Sequence, residues 1–256
     1  MKFFPSPSGQ CVSAAAFLPP VLALLVASLA PIQVQAGQFS VSPLRIYMSL
    51  RDRATAITLM NEGDTEVVIQ ADLYDWKQKP DGSDDLTLTE DLILAPPIIR
   101  LLPGARQVVR LAMLRPLPRD VQSTYRLIVR EIPEAQPKTE GLTLQIAMAF
   151  SLPVFISPPG TLRQLHCAGE RIDPRRLLAQ CENRGKAYAQ TVEIQLKDAS
   201  GKRIAGSEVP AYVLPGIRRG FELAVPAGES LPSGPMQLLV RQDNGTIDTF
   251  DVSLPD

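Results

Sequence analysis

Apolar and polar residues alternate along much of this chain with a period of two, and the alternation is longest over residues 142–156. There every even-numbered position is apolar: Leu142, Leu144, Ile146, Met148, Phe150, Leu152, Val154 and Ile156. The odd positions are mostly small or polar (Thr143, Gln145, Ala147, Ala149, Ser151, Pro153), with Phe155 the exception. Successive side chains of a strand point to opposite faces, so this register predicts one strand with a single unbroken apolar face. A usual strand has about 5–6 residues, whereas this one would run about 50 Å at about 3.3 Å per residue. A compact domain has too little surface of its own to cover such a stripe. Part of it is therefore expected to meet a partner.

Shorter segments of the same kind precede and follow it. Strands are expected over 39–41, 56–60, 67–76, 93–94, 106–113 and 125–132. Turn signals separate them at Asn61-Glu62-Gly63-Asp64, Pro80-Asp81-Gly82, Pro103-Gly104 and the stretch 133–141. With 142–156 they make seven strands in about 120 residues, the pattern of an immunoglobulin-like sandwich. Pro158-Pro159-Gly160 stops the series and reads as a linker. A second series follows at 175–181, 190–198, 203–204, 218–225, 236–241 and 246–254, with turns at Asn183-Arg184-Gly185, Ala199-Ser200-Gly201, Pro215-Gly216 and Asp243-Asn244-Gly245. The predicted class is all-β, with two immunoglobulin-like sandwiches over residues 37–158 and 159–256.

The first 36 residues stand apart. Lys2 is the only charge before the mostly apolar run 14–30, which ends at Pro31, and Val34-Gln35-Ala36 fits the small-x-small rule for cleavage. This reads as a signal peptide, 1–36, removed near Ala36. Pro19-Pro20 interrupts the run, and no second apolar stretch approaches the roughly 20 residues a membrane span needs, so no stable membrane insertion is expected. Losing Lys2 takes the formal charge from −1 to −2. The Lys and Arg residues are scattered rather than blocked, and no nucleic-acid partner is expected.

Cys11 leaves with the leader, and the remaining pair, Cys167 and Cys181, reads as a disulfide of an exported chain. Closing a loop of about 15 residues contributes on the order of 3 kcal/mol. His166 is the only histidine, which leaves a metal centre without ligands and a catalytic triad without a base. No nucleophile elbow, zinc-protease, C-x-x-C or phosphate-cradling motif occurs. Asp84-Asp85 with Glu90-Asp91 lacks the spacing of a calcium loop and reads as a solvated hairpin face. Asn244-Gly245-Thr246 reads as a hairpin turn rather than a glycosylation acceptor. No enzyme activity, cofactor or metal is expected.

More specific are three stretches of the first half. They are Ala95-Pro96-Pro97-Ile98-Ile99-Arg100-Leu101-Leu102-Pro103-Gly104-Ala105 with Val108-Val109-Arg110-Leu111; Tyr125-Arg126-Leu127-Ile128-Val129-Arg130-Glu131-Ile132-Pro133; and Gln145-Ile146-Ala147 with Leu152-Pro153-Val154-Phe155-Ile156-Ser157-Pro158. In order and spacing they resemble the periplasmic pilus (fimbrial) assembly chaperones, the PapD-like family. The second half matches more loosely, through Asn183-Arg184-Gly185, Leu214-Pro215-Gly216 and residues 240–245.

This resemblance implies two domains set at an angle around a cleft. It also implies a chaperone that lends its long strand to an incomplete pilus subunit and passes it to an outer-membrane usher. The implied inserting residues are Leu144, Ile146 and Met148, with Phe150 and Leu152. The family anchors a subunit's terminal carboxylate with an arginine near the mature N-terminus and a lysine on the long strand. Arg45 occupies the arginine position, but Pro153 stands at the lysine position, leaving Arg100, Arg110 or Arg130 as candidate substitutes. Ser157 replaces an arginine that links the domains in the best-known members, so Asp243, at the family's acidic position, is expected to lack its usual partner. These departures resemble the divergent spore-coat-like or Csu-type branch, while the short connection 133–141 resembles members that build rod-like pili. The other reading is an exported structural or adhesive protein of two sandwich modules, which shares the fold but needs no incomplete partner.

Overall fold

Burial follows the alternation of the sequence. In Val67–Gln78 the first half buries Val67, Ile69, Ala71 and Leu73, all odd. The second half buries Trp76 and Gln78, both even. The strand's two faces are covered at different ends, by different neighbours. The computed structural model describes residues 39–79, 81–133 and 147–255. The expected signal peptide 1–36, the connection beyond Pro133, and Leu142, Leu144 and Ile146 lie outside the described residues.

Ten strands build the first sandwich: β1 (Phe39–Ser42), β2 (Ile46–Ser49), β3 (Ala54–Asn61), β4 (Val67–Gln78), β5 (Asp84–Leu88), β6 (Leu92–Ala95), β7 (Ile98–Leu101), β8 (Arg106–Met113), β9 (Ser123–Glu131) and β10 (Ala149–Ser157). One sheet has the order β1-β3-β8-β6, the other β2-β10-β9-β4-β5, with β7 also on β4. All pairings are antiparallel except β2 with β10. The sheets enclose Ile57, Leu59, Val109 and Leu111 from one side and Ile46, Ile69, Leu127, Val129, Val154 and Ile156 from the other. Three of these strands, β2, β5 and β7, are absent from the sequence reading. They are only four or five residues long, too short for a period to declare itself.

The second sandwich has β11 (Leu165–Asp173), β12 (Arg176–Asn183), β13 (Ala189–Asp198), β14 (Arg203–Ser207), β15 (Ala211–Val213), β16 (Arg218–Ala224), β17 (Gly234–Gln242) and β18 (Ile247–Leu254). Sheet β11-β12-β16 faces sheet β14-β13-β17-β18, with β15 also on β13. Leu177, Ala179 and Leu223 meet Ile194, Leu196, Leu238 and Val240 in its core. Cys167 and Cys181 stand directly opposite on β11 and β12 and are bonded, 14 residues apart in sequence.

Both sandwiches reuse one corner. The Asn61 amide donates to the carbonyls of Thr65 and Leu101 and accepts from the Gly63 amide. Asn183 does the same with Ala187, Val213 and Gly185. Each buried amide thereby satisfies backbone groups that a turning chain leaves open. Gly185 is required by proximity, because a Cβ there would lie 2.4 Å from the Leu162 carbonyl oxygen.

A third cluster joins the sandwiches. Trp76 and Phe155 from the first bury themselves against Tyr188 and Leu214 of the second. The Phe155 and Tyr188 rings stack with centroids 3.9 Å apart and planes 14° from parallel. Amide side chains complete the joint. Gln78 accepts from Leu214 N at 3.0 Å and donates to Tyr212 O at 3.2 Å. Gln122 accepts from Tyr188 N at 2.9 Å and donates to Ser157 Oγ at 2.8 Å. Ser157 thus takes part in the joint through a neutral amide. All of this lies within one compact unit, Ala36–Asp256.

Candidate functional site: an open strand edge beside a cationic cleft

Strand β10 lies between two others, β9 and β2. The Glu131 amide donates to the Met148 carbonyl at 2.9 Å, just ahead of β10, and the register continues as Phe150↔Val129, Leu152↔Leu127 and Val154↔Tyr125. Antiparallel alternation then turns the backbone groups of even residues toward β9 and those of odd residues the other way. On that other side β2 covers only Val154–Ser157, from Val154↔Ile46 to Ser157↔Ser49. Ala149 and Ser151, both exposed, therefore face an edge with no described strand beside it. Pro153 sits on the same side where β2 begins, a place where a missing N–H costs no bond to β9.

The even side chains grade from core to surface. Val154 and Ile156 are fully buried and Leu152 is 3% exposed, all three inside the first core. Phe150 and Met148 are half-buried at its margin, Phe150 edge-on to Phe39 at 5.1 Å. Leu152, unlike the two residues before it on this face, is packed by the sheet opposite in the chain alone. Among the described residues the strand begins at Ala149. The apolar stripe still emerges from its own domain at Phe150 and Met148. Phe155, the odd exception in the sequence pattern, belongs to the joint on the opposite face.

The cleft is built from residues far apart in sequence. Arg45, just before β2, donates through Nη1 to Asp243 Oδ2 and through Nη2 to Gln190 Oε1, each at 2.6 Å. Arg163, in the linker, donates to the other oxygen of Asp243, Oδ1, at 2.6 Å. The hydroxyls of Tyr47 and Tyr188 are 2.6 Å apart and both accept from Arg45. Burial works against the Arg45 charge, but the Tyr47 hydroxyl, Tyr212 and Asp243 together hold its pKa above the ordinary arginine value. Burial, then the hydrogen bond with Tyr47 and the nearby Asp243 charge, raises the Tyr188 hydroxyl. One carboxylate between two guanidiniums leaves this group with an excess positive charge.

These contacts give Asp243 partners other than residue 157. With Ser157 in place of arginine it still has two cationic partners, Arg45 and Arg163, supplied by other elements. The expected substitutes for the missing lysine lie elsewhere. Arg100 pairs with Glu66 at 3.2 Å, Arg130 pairs with Asp72, and Arg110 is exposed on β8 in the other sheet. None of the three makes a described contact with the cleft group. The cation beside Pro153 is its cross-strand neighbour Arg126. Its guanidinium lies 3.7 Å from the Trp76 ring centroid and 3.2 Å from Asp84. Burial lowers its pKa, opposed by Asp84. The guanidiniums of Arg45 and Arg126 are each 5.6 Å from the Tyr212 ring centroid. Neither Arg126 nor Arg163 was singled out by spacing, although the pairing of Arg126 with residue 153 follows once β9 and β10 are placed in register. His166 is exposed and edge-on to Phe250. Among the described residues, no group of His, Cys, Asp and Glu is arranged to hold a metal ion.

Comparison with known proteins agrees with this architecture. Residues 38–162 match the family model of the pili and flagellar-assembly chaperone, PapD N-terminal domain. The CsuC–CsuE chaperone–tip adhesion subunit pre-assembly complex of Acinetobacter baumannii holds a chain 20% identical, with a TM-score of 0.62 over 86% of this chain and 100% of that one. The Pseudomonas aeruginosa CupB2 chaperone is 19% identical, with a TM-score of 0.53 over 84% and 100%. A chain of the Salmonella enterica SafA pilin–SafB chaperone complex is 14% identical, with a TM-score of 0.56 over 86% and 98%. At such identities these likenesses speak to the fold. A comparison with curated proteins found no match. Residues 38–162, which hold β10, form a domain of the PapD N-terminal family of pili and flagellar-assembly chaperones.

Proposed function

We propose that this protein is a periplasmic chaperone that captures incomplete pilus subunits by adding a strand at the open edge of β10 and delivers them to an outer-membrane usher. Its leader, residues 1–36, is removed near Ala36 on export, and the work involves no catalysis. The observation that carries this reading is the strand itself: a backbone edge at Ala149 and Ser151 with no strand beside it among the described residues, next to an apolar stripe that leaves its own core at Phe150 and Met148. Backbone groups on such an edge bind any extended partner, and alternate side chains select which one. Met148 and Phe150, continued by Leu144 and Ile146, fill the groove of a subunit lacking a strand. Arg45 takes the subunit's terminal carboxylate, for which a guanidinium fork is suited. Arg126, beside Pro153, stands where a second cation is needed. The relatives named above include chains held with a tip adhesion subunit and with a pilin, which supports the same class of partner.

The test is co-expression in a bacterial periplasm with a candidate pilin, followed by purification through a tag on this chain. Full burial of an apolar side chain contributes about 1.5–3 kcal/mol, and a carboxylate placed in an apolar groove costs more than is gained. Met148→Asp is expected to abolish a one-to-one complex while the chaperone keeps its wild-type circular dichroism. Undiminished capture by the folded variant would refute strand donation through this stripe.

A further inference from the structure

We propose that Asp243 and Gln190 act as an internal occupant of the Arg45 fork, which an arriving carboxylate has to displace, so that capture is coupled to the contact between the sandwiches. This rests on the reading of Arg45 as the carboxylate anchor. Both terminal nitrogens of Arg45 are taken at 2.6 Å, one by a carboxylate oxygen and one by an amide oxygen. Two oxygen acceptors on the two ends of one fork reproduce what a single carboxylate offers. Both belong to the second sandwich, Gln190 on β13 and Asp243 in the β17–β18 turn, whereas Arg45 belongs to the first.

Arg163 makes the exchange feasible. It holds Asp243 through the oxygen that Arg45 does not use, at 2.6 Å. When an incoming carboxylate takes Arg45, Asp243 stays paired with Arg163. No half-buried charge is left alone, which is the costly outcome when one partner of such a pair is removed. The number of ion pairs is conserved across the exchange, and the excess positive charge of the group is neutralised by the ligand. Asp243 and Arg163 are thus specificity-determining residues for the anchor. Asp243 competes with the ligand for Arg45, and Arg163 draws Asp243 away from it.

The two residues predict effects of opposite sign. The probe is a short synthetic peptide of alternating valine and threonine ending in a free carboxylate, compared with the same peptide ending in an amide. Binding is followed by the emission of Trp76, the chain's one tryptophan, which lies in the joint. The readout is the ratio of the amide to the acid dissociation constant. Wild type is expected to favour the acid. Asp243→Asn is expected to raise the ratio by about fivefold or more, the range of ordinary site coupling, because the fork is no longer held by a charge. Arg163→Gln is expected to lower it toward one, because Asp243 then has Arg45 alone. An unchanged or lower ratio in Asp243→Asn, or a raised one in Arg163→Gln, would overturn the proposal while leaving the anchor intact. A wild type that binds acid and amide equally would remove the anchor itself, and this coupling with it.

Discussion

Neighbouring residues on β10 should fail in different parts of the molecule. Phe155 and Ile156 are adjacent and both fully buried, yet Phe155 lies in the joint and Ile156 in the first core. Truncating a buried Phe to Ala typically costs about 3–5 kcal/mol, and Ile to Ala about 2–5 kcal/mol. Phe155 belongs at the upper end of its range: its exposure is 0%, and it stacks on Tyr188 at 3.9 Å. The stack adds about 0.5–1.5 kcal/mol beyond area alone. Of the two sandwiches, Ile156→Ala should weaken the first. Phe155→Ala should uncouple the pair before either core is lost. Urea unfolding read by Trp76 emission reports the joint, and far-ultraviolet circular dichroism reports both sandwiches. For Phe155→Ala the Trp76 signal is expected to change at clearly lower urea than the dichroism. For Ile156→Ala the Trp76 signal should not run ahead of it. Coincident transitions in Phe155→Ala, or a loss below about 1 kcal/mol, would refute the assignment of Phe155 to a separate joint.

Two further outcomes follow from the second sandwich and the cleft. Replacing Cys167 and Cys181 together by Ala should cost on the order of 3 kcal/mol. The loss should fall on the second sandwich, and calorimetry showing the first transition moved instead would count against it. Tyr188 and Tyr125 have raised hydroxyl pKa values, chiefly through burial, with Tyr47 adding to the first and Asp91 to the second. The folded chain keeps these protons where an unfolded tyrosine, with a pKa of about 10, has lost them. Their contribution is therefore complete below about pH 10 and falls as pH rises further. Tyr188→Phe should flatten the alkaline fall in melting temperature, and an equal slope in both proteins would contradict this.

The sequence made the sheets legible because a half-buried strand writes its two faces into alternate residues. Residues 125–132 and 106–113 are of that kind. It made the family legible through motifs such as Arg130-Glu131-Ile132-Pro133. The joint was harder to read, since Trp76 and Phe155 follow the wrong parity for their own core and appear as exceptions until a second neighbour is known. Gln78, at the end of β4, and Gln122, just before β9, carry no pattern at all, because an amide there looks the same whether it bridges two domains or faces water. The Arg45–Asp243 pair spans 198 residues of chain and involves one side chain from a turn and another from just outside a strand. Periodicity is silent in both places. Alternation likewise shows which face of β10 is apolar but not where its own domain stops covering it.

The divided duties of β10 also constrain how the protein can diversify. Leu152, Val154 and Ile156 are fixed by one core and Phe155 by the joint. Under the proposed strand addition, Ala149 and Ser151 are held small by the closeness of an added backbone, and change in partner preference is left to Met148 and Phe150 and the stretch before them. A lineage that drifts toward a new subunit can rewrite that end of the strand while the rest stays still. Recombining only that end between relatives should therefore transplant the preference without disturbing the scaffold.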